Sequence, residues 1–295
     1  GPATPVLEID ASSPLLVFGG PYSNRAATAA IAGVARALSI PASHVVCTGD
    51  VVAYCAEPEE TIGLVRDWGC RVIAGNCEES LAQGAADCGC NFEEGTACAR
   101  LSKGWYPYAD ARVSAGSRAW MQALPATLAF RFAGIRFRVV HGSVDETARW
   151  VFASDAGRLA AEWRAADAEI VIARPCGIPF VGRVGGGAWF NPGVIGMPAN
   201  DGTPDGWYGL VTPAAGGLTL SLHRLAYDHQ SAAAAMRRSG HANEYARTLV
   251  TGIWPSFDVL PETERAAIGK RLRPRALTLK PAPSRLAEAV ASSPA

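Results

Sequence analysis

Three short apolar runs near the N-terminus each stop at a glycine-containing turn, with helix-like stretches between them. Leu15-Leu16-Val17-Phe18 stops at Gly19-Gly20-Pro21, His44-Val45-Val46-Cys47 at Gly49-Asp50, and Arg71-Val72-Ile73-Ala74 at Gly75-Asn76. Short apolar runs bounded by turn residues read as buried strands. Between them, Asn24 can cap an Ala-rich helix over residues 25–38, and residues 57–68 read as a helix with Pro58 in its first turn. Strand, helix, strand, helix, strand implies βαβ units and a largely parallel first sheet.

The middle of the chain reads as helical over 97–109 and 114–124. Residues 127–132 and 135–140 alternate around Gly134 as a hairpin whose second strand delivers His141. A helix over 155–166 leads to a buried strand at 170–172, which ends at Arg174-Pro175-Cys176-Gly177. Short strands near 181–184, 188–190, 207–211 and 218–223 complete a second, more antiparallel sheet. Helices are expected over 228–238 and 243–251, and a further one within 265–272. From Pro274 onward Pro, Ala and Ser dominate, which predicts a disordered tail. The expected division is a main domain over 1–227 with a Cys-containing helical insertion at about 85–124, a helical extension over 228–273, and the tail.

With 295 residues, 49% of them hydrophobic and 18% charged, the chain can bury a full core. Its formal net charge of 0 gives no support for general nucleic-acid binding. No apolar run approaches the roughly 20 residues that span a bilayer. Gly1-Pro2 resembles a protease scar. Eight cysteines are many. Cys47 and Cys70 read as buried thiols, and Cys88, Cys90 and Cys98 share one loop whose spacing fits no standard zinc pattern. A structural role or a single disulfide competes there with a metal or redox role. The expected compartment is the cytoplasm, with most thiols reduced.

Candidate chemistry gathers at the strand ends. Asp50, Asn76 and His141 place a carboxylate, an amide oxygen and an imidazole where loops converge along one sheet edge, a donor set suited to a divalent metal. The order Gly49-Asp50, Gly75-Asn76, His141-Gly142 and Asn191-Pro192-Gly193-Val194-Ile195-Gly196-Met197-Pro198 resembles the metallophosphoesterase (calcineurin-like) family, over about residues 15–211. The resemblance implies a four-layer α/β/β/α sandwich of two mixed sheets flanked by helices. It also implies that Asp50 bridges two metals and that Asn76 and His141 bind the second.

Departures from the family pattern are equally specific. Where the family opens with Asp-x-His-Gly-Asn, this chain has Gly20-Pro21-Tyr22-Ser23-Asn24. Its Gly-His-x-His segment aligns with Arg174-Pro175-Cys176-Gly177, and a position that is often a catalytic His is Cys77. The first metal site thus keeps only Asp50, whereas the second keeps three of four ligands. The leading expectation is an atypical phosphoesterase holding one Mn, Fe or Zn ion, or none, and hydrolysing a small phosphorylated substrate. Arg174 would assist by charge, Cys77 is a candidate nucleophile or a packing residue, and Glu78 is a candidate general acid or a first-turn helix carboxylate. Tyr22, Asn24, Cys176 and Asn191 are expected around the substrate pocket. Cys176 or Tyr22 could replace a lost ligand, or Tyr22 could simply fill the vacated space. The competing expectation is a non-catalytic descendant that binds a phosphorylated or aromatic ligand, or a protein partner, in the old cleft. His44, His223, His229 and His241 read as peripheral.

Overall fold

The computed structural model describes residues 3–90, 96–143, 150–174, 176–241 and 243–280. Two six-stranded mixed sheets form its centre. One takes the order β1-β5-β6-β7-β9-β8, from strands β1 (Val6–Ile9), β5 (Leu128–Phe132), β6 (Ile135–Val140), β7 (Ile170–Ala173), β8 (Phe180–Val184) and β9 (Gly187–Asn191). The other takes the order β12-β11-β10-β2-β3-β4, from β2 (Leu15–Phe18), β3 (Val45–Cys47), β4 (Arg71–Val72), β10 (Gly206–Ala214), β11 (Gly217–Leu225) and β12 (Ala276–Leu279). Strands β2, β3 and β4 are parallel, and β10 joins β2 antiparallel.

The period of two along β2 builds the layers. Leu15 and Val17 point into the seam between the sheets, where Phe130, Phe137, Ile172, Phe190 and Trp207 meet them. Leu16 and Phe18 point the other way, onto α1 (Arg25–Ala37) and α2 (Pro58–Trp68), beside Ile31 and Ile62. On the far face, Val140, Val171 and Trp189 pack against Leu159 of α6 (Ala156–Ala165). Helix, sheet, sheet, helix is the four-layer sandwich that the sequence implies.

Five more helices dress the β2–β3–β4 side: α3 (Asn76–Gln83), α4 (Ala97–Asp110), α5 (Ala115–Gln122), α7 (His229–Ser239) and α8 (Asn243–Thr251). Ala233, Met236, Tyr245 and Leu249 of the last two are buried in the same cluster as Phe18. The C-terminal helices therefore belong to the main core rather than hanging from it.

Three expectations are corrected. The helix placed within 265–272 is instead the short α9 (Glu262–Ala266), which starts after Pro261 because proline suits a helix entry. The tail expected from Pro274 begins with β12, whose Leu277 and Leu279 pair with Leu220 and Leu218 of β11, outweighing the composition. Strand β1 was not expected, since it is an edge strand that buries only Ile9 and shows no apolar pattern. Residues 281–295 lie outside the described residues.

No helix among the described residues is long and apolar enough to cross a membrane. Cys88 and Cys90 form a disulfide. Cys47, Cys55, Cys70, Cys77 and Cys176 are free thiols, and the side chain of Cys98 lies outside the described residues.

Candidate functional site

Three loops meet where β2, β3 and β4 end, and their backbones are held closer than most side chains allow. Gly49 has φ of 97°, and a Cβ there would stand 2.7 Å from the Gly75 nitrogen. A Cβ on Gly75 would meet the Asp50 carboxylate and the His141 ring. Tyr22, Ser23 and Asp50 all take left-handed backbone angles, with φ of 54°, 59° and 55°. Such conformations are costly and persist only where the surroundings over-determine them.

Glu78 supplies much of that determination. Its carboxylate accepts the backbone N–H groups of Asp50 at 2.9 Å, Val51 at 2.5 Å and Gly75 at 2.7 Å. One side chain in the first turn of α3 thus clamps the loop after β3 to the loop after β4. Burial and the adjacent Asp50 charge push Glu78 up to about 7, against the pull of those backbone donors. Both oxygens accept backbone N–H groups, which makes Glu78 a clamp between the two loops.

Asp50, Asn76 and His141 converge, and Arg174 converges with them. His141 donates from Nδ1 to the Thr48 carbonyl at 2.7 Å, which turns Nε2 toward Asp50 and Asn76. Asn76 Oδ1 stands 3.0 Å from that Nε2, and Asp50 Oδ2 stands 3.2 Å from it. Arg174 donates from Nη2 to Asp50 Oδ2 at 2.5 Å and lies 3.1 Å from His141 Nε2. Its Nη1 donates to the Tyr22 hydroxyl at 2.6 Å. Asp50, His141 and Arg174 are all buried. Burial opposes ionisation of Asp50, but the charges of His141 and Arg174 prevail and hold its carboxyl well below the usual range.

A single guanidinium nitrogen bonds the Asp50 oxygen and stands 3.1 Å from His141 Nε2, the two atoms that an ion would need. Among the described residues no cluster of three His, Cys, Asp or Glu side chains offers another place. A divalent ion about 4 Å from a guanidinium would be repelled by about 8 kcal/mol at an effective dielectric of ~20. The residues present therefore do not fit a metal while Arg174 stays where it is. The sequence asks for a cation at this point, and the chain supplies its own.

The other candidates take structural positions. The Cys77 backbone N–H donates to Asp50 Oδ1 at 3.3 Å. Its buried thiol is pushed well up by burial and by the charges of Asp50 and Glu78, which disfavours the thiolate. Asn24 caps α1 by accepting the Ala27 N–H, and its amide donates to the Gly196 carbonyl and the Tyr227 hydroxyl. Asn191 accepts the Gly193 N–H and donates to the Cys176 carbonyl. The Cys176 thiol is buried, donates to the Ile178 carbonyl at 3.7 Å, and is pushed up to about 12 by burial. Through these bonds Asn24, Asn191 and Cys176 hold the loops around the node. The Asn76 amide donates to the Cys88 carbonyl at 3.1 Å, which seats the disulfide loop against the node.

The two face-to-face mixed sheets, the helices outside them and the loop node at the ends of β2, β3 and β4 make up the calcineurin-like metallophosphoesterase fold. The chain is similar to a metallophosphoesterase from Sphaerobacter thermophilus, at 22% identity and a TM-score of 0.62, over 82% of this chain and 99% of that one. It is also similar to a hypothetical protein from Pyrococcus horikoshii OT3, at 18% identity and a TM-score of 0.70, with the same coverage of 82% and 99%. At these identities the likeness is one of fold. No protein-family model and no curated protein sequence matches the chain.

Proposed function

We propose that this protein is a phosphoesterase-fold binding protein that recognises a ligand in its cleft without hydrolysing phosphate esters. One observation carries the reading: the Arg174 guanidinium is bonded to Asp50 and in contact with His141, where the chemistry of the fold calls for a metal ion. Metal-assisted hydrolysis needs an ion with open positions to polarise a phosphoryl oxygen and supply hydroxide. A buried guanidinium paired to Asp50 neutralises the same charge and offers neither. The groups that could act without a metal are also disabled, because Cys77 is a buried neutral thiol and Glu78 is fully engaged by backbone donors.

Metal quantification on purified protein, paired with an assay on bis-p-nitrophenyl phosphate, tests the reading. The expected result is substoichiometric Mn, Fe and Zn, with no hydrolysis when these metals are added. One equivalent of metal together with metal-dependent hydrolysis that Asp50→Asn abolishes would overturn it.

A further inference from the structure

Beside the buried node lies a cleft that the node itself does not explain. Tyr22 joins the two, since its hydroxyl is bonded to Arg174 while the residue also lines the cleft. The cleft holds a cavity of about 70 Å³ and, with its open mouth, about 560 Å³ of empty space. It runs along the seam between two separate hydrophobic clusters. Tyr22, Tyr54 and Tyr245 line it from the main core, and Trp150 and Trp254 line it from the small cluster around Phe152 and Leu260.

Both sides are held in place before any ligand arrives. Tyr54 packs edge-on to Tyr22 at 4.7 Å and tilted against Tyr245 at 4.7 Å. Trp254 donates its indole N–H to the Pro198 carbonyl at 2.8 Å and its backbone N–H to Asn200 at 2.8 Å. Ordering cost is therefore met by the fold rather than by binding. Among the described residues, none that lines the cleft carries a charge. Arg174, bonded to the Tyr22 hydroxyl, is already paired with Asp50.

We infer that this cleft binds an uncharged, planar aromatic molecule, its ring inserted between the tyrosine side and the tryptophan side. Aromatic walls favour a ring through stacked and edge-to-face contacts. A phosphate group would lose its hydration at a lining that offers no free positive charge. The inference rests on the proposed function and names its ligand class.

Calorimetric titration of the full chain, in the presence of a chelator, tests it with 2-naphthol, 2-naphthyl phosphate, inorganic phosphate and a blocked Gly-Trp-Gly peptide. The expected result is binding of 2-naphthol, about tenfold weaker binding of its phosphate, and none of inorganic phosphate. Gly177→Val serves as a plug: a Cβ at Gly177 meets Trp254 at an ordinary 3.4 Å, and the larger side chain extends into the cleft. It should weaken 2-naphthol binding about tenfold or more, and Trp254→Leu should do the same by removing one side. Binding of inorganic phosphate, equal or tighter binding of the naphthyl phosphate, or an affinity indifferent to both substitutions would overturn the inference. Tighter binding of the peptide than of the free ring would assign the cleft to a protein partner and overturn it too. In a parallel assay without chelator and with added Mn or Zn, metal-dependent hydrolysis of 2-naphthyl phosphate would instead defeat the proposed function, even if the ring still bound.

Discussion

Arg174 Nη2 lies 2.5 Å from Asp50 Oδ2, and both side chains are buried beneath the loops that follow β2, β3 and β4. The pair links the sheet carrying β7, which ends just before Arg174, to the sheet carrying β3, which ends just before Asp50. A charge that would otherwise be an uncompensated buried ion is thereby turned into a tie between the two halves of the sandwich.

Removing one partner of that tie leaves the other charge buried alone. Asp50→Asn is expected to cost roughly 3–5 kcal/mol. For a chain of this size that is a fall in Tm on the order of 10 °C. The double substitution Asp50→Leu with Arg174→Met should recover much of the loss, since an apolar pair of similar bulk replaces a pair of desolvated ions. Thermal unfolding of the three proteins at neutral pH checks both expectations, and a double variant no better than Asp50→Asn would contradict the second.

The same pair gives the fold an acid dependence of definite sign. Asp50 is held well below the ordinary aspartate value of about 3.9. Its stabilising contribution is complete above that value and drains away as pH falls below it, because the unfolded chain takes up the proton first. The Tm gap between wild type and Asp50→Asn should thus narrow below about pH 4, whereas between pH 7 and pH 5 it should widen as Glu78, raised in part by the Asp50 charge, takes up its proton in wild type. A gap that closes between pH 7 and pH 5 would place the titrating group elsewhere.

Glu78 offers a test of the loop clamp that is separate from charge pairing. Three backbone donors point at its two oxygens. Glu78→Gln replaces one acceptor oxygen with an NH₂ group, so at least one buried N–H loses its acceptor, at a cost of about 1–3 kcal/mol. Faster amide exchange should be confined to Asp50, Val51 and Gly75. Exchange that accelerates uniformly across the sheets would mean global destabilisation and no clamp.

The layers were legible because periodicity and turns recorded them. Leu15 to Phe18 alternate between two cores, and Gly49 and Gly75 mark close loop approaches that a Cβ would forbid. Strands β1 and β12 were not legible, because edge strands bury few residues and are held by backbone pairing rather than by an apolar pattern. Asp50, Asn76 and His141 could be brought together from sequence, since motif order fixed their strand ends. What they hold could not be read there. Arg174 was expected to add charge at the site, but its direct pairing with Asp50 depends on the parallel register of β6 and β7, with Val140 paired to Ala173, which carries it over the His141 ring. A single disulfide was among the readings of the cysteine loop, but the spacing of Cys88, Cys90 and Cys98 does not say which thiols meet.

If Arg174 stands in for a metal, removing it should uncover a place for one. Arg174→His takes away the permanent cation, frees Asp50 Oδ2 and His141 Nε2, and adds an imidazole beside them. Two imidazoles, a carboxylate and an amide oxygen suit Zn or Mn at a single position. Calorimetric titration should show about one equivalent of Zn bound by Arg174→His and none by wild type. Thermal unfolding gives an independent reading: ion at 100 times its Kd should raise the stability of the variant by about 2.7 kcal/mol and leave wild type unchanged. Arg174→Gln, which removes the charge without adding a ligand, should bind more weakly than Arg174→His. Equal metal binding by wild type and Arg174→His would show that the guanidinium does not block an ion, and the reading of Arg174 as the built-in cation would fail.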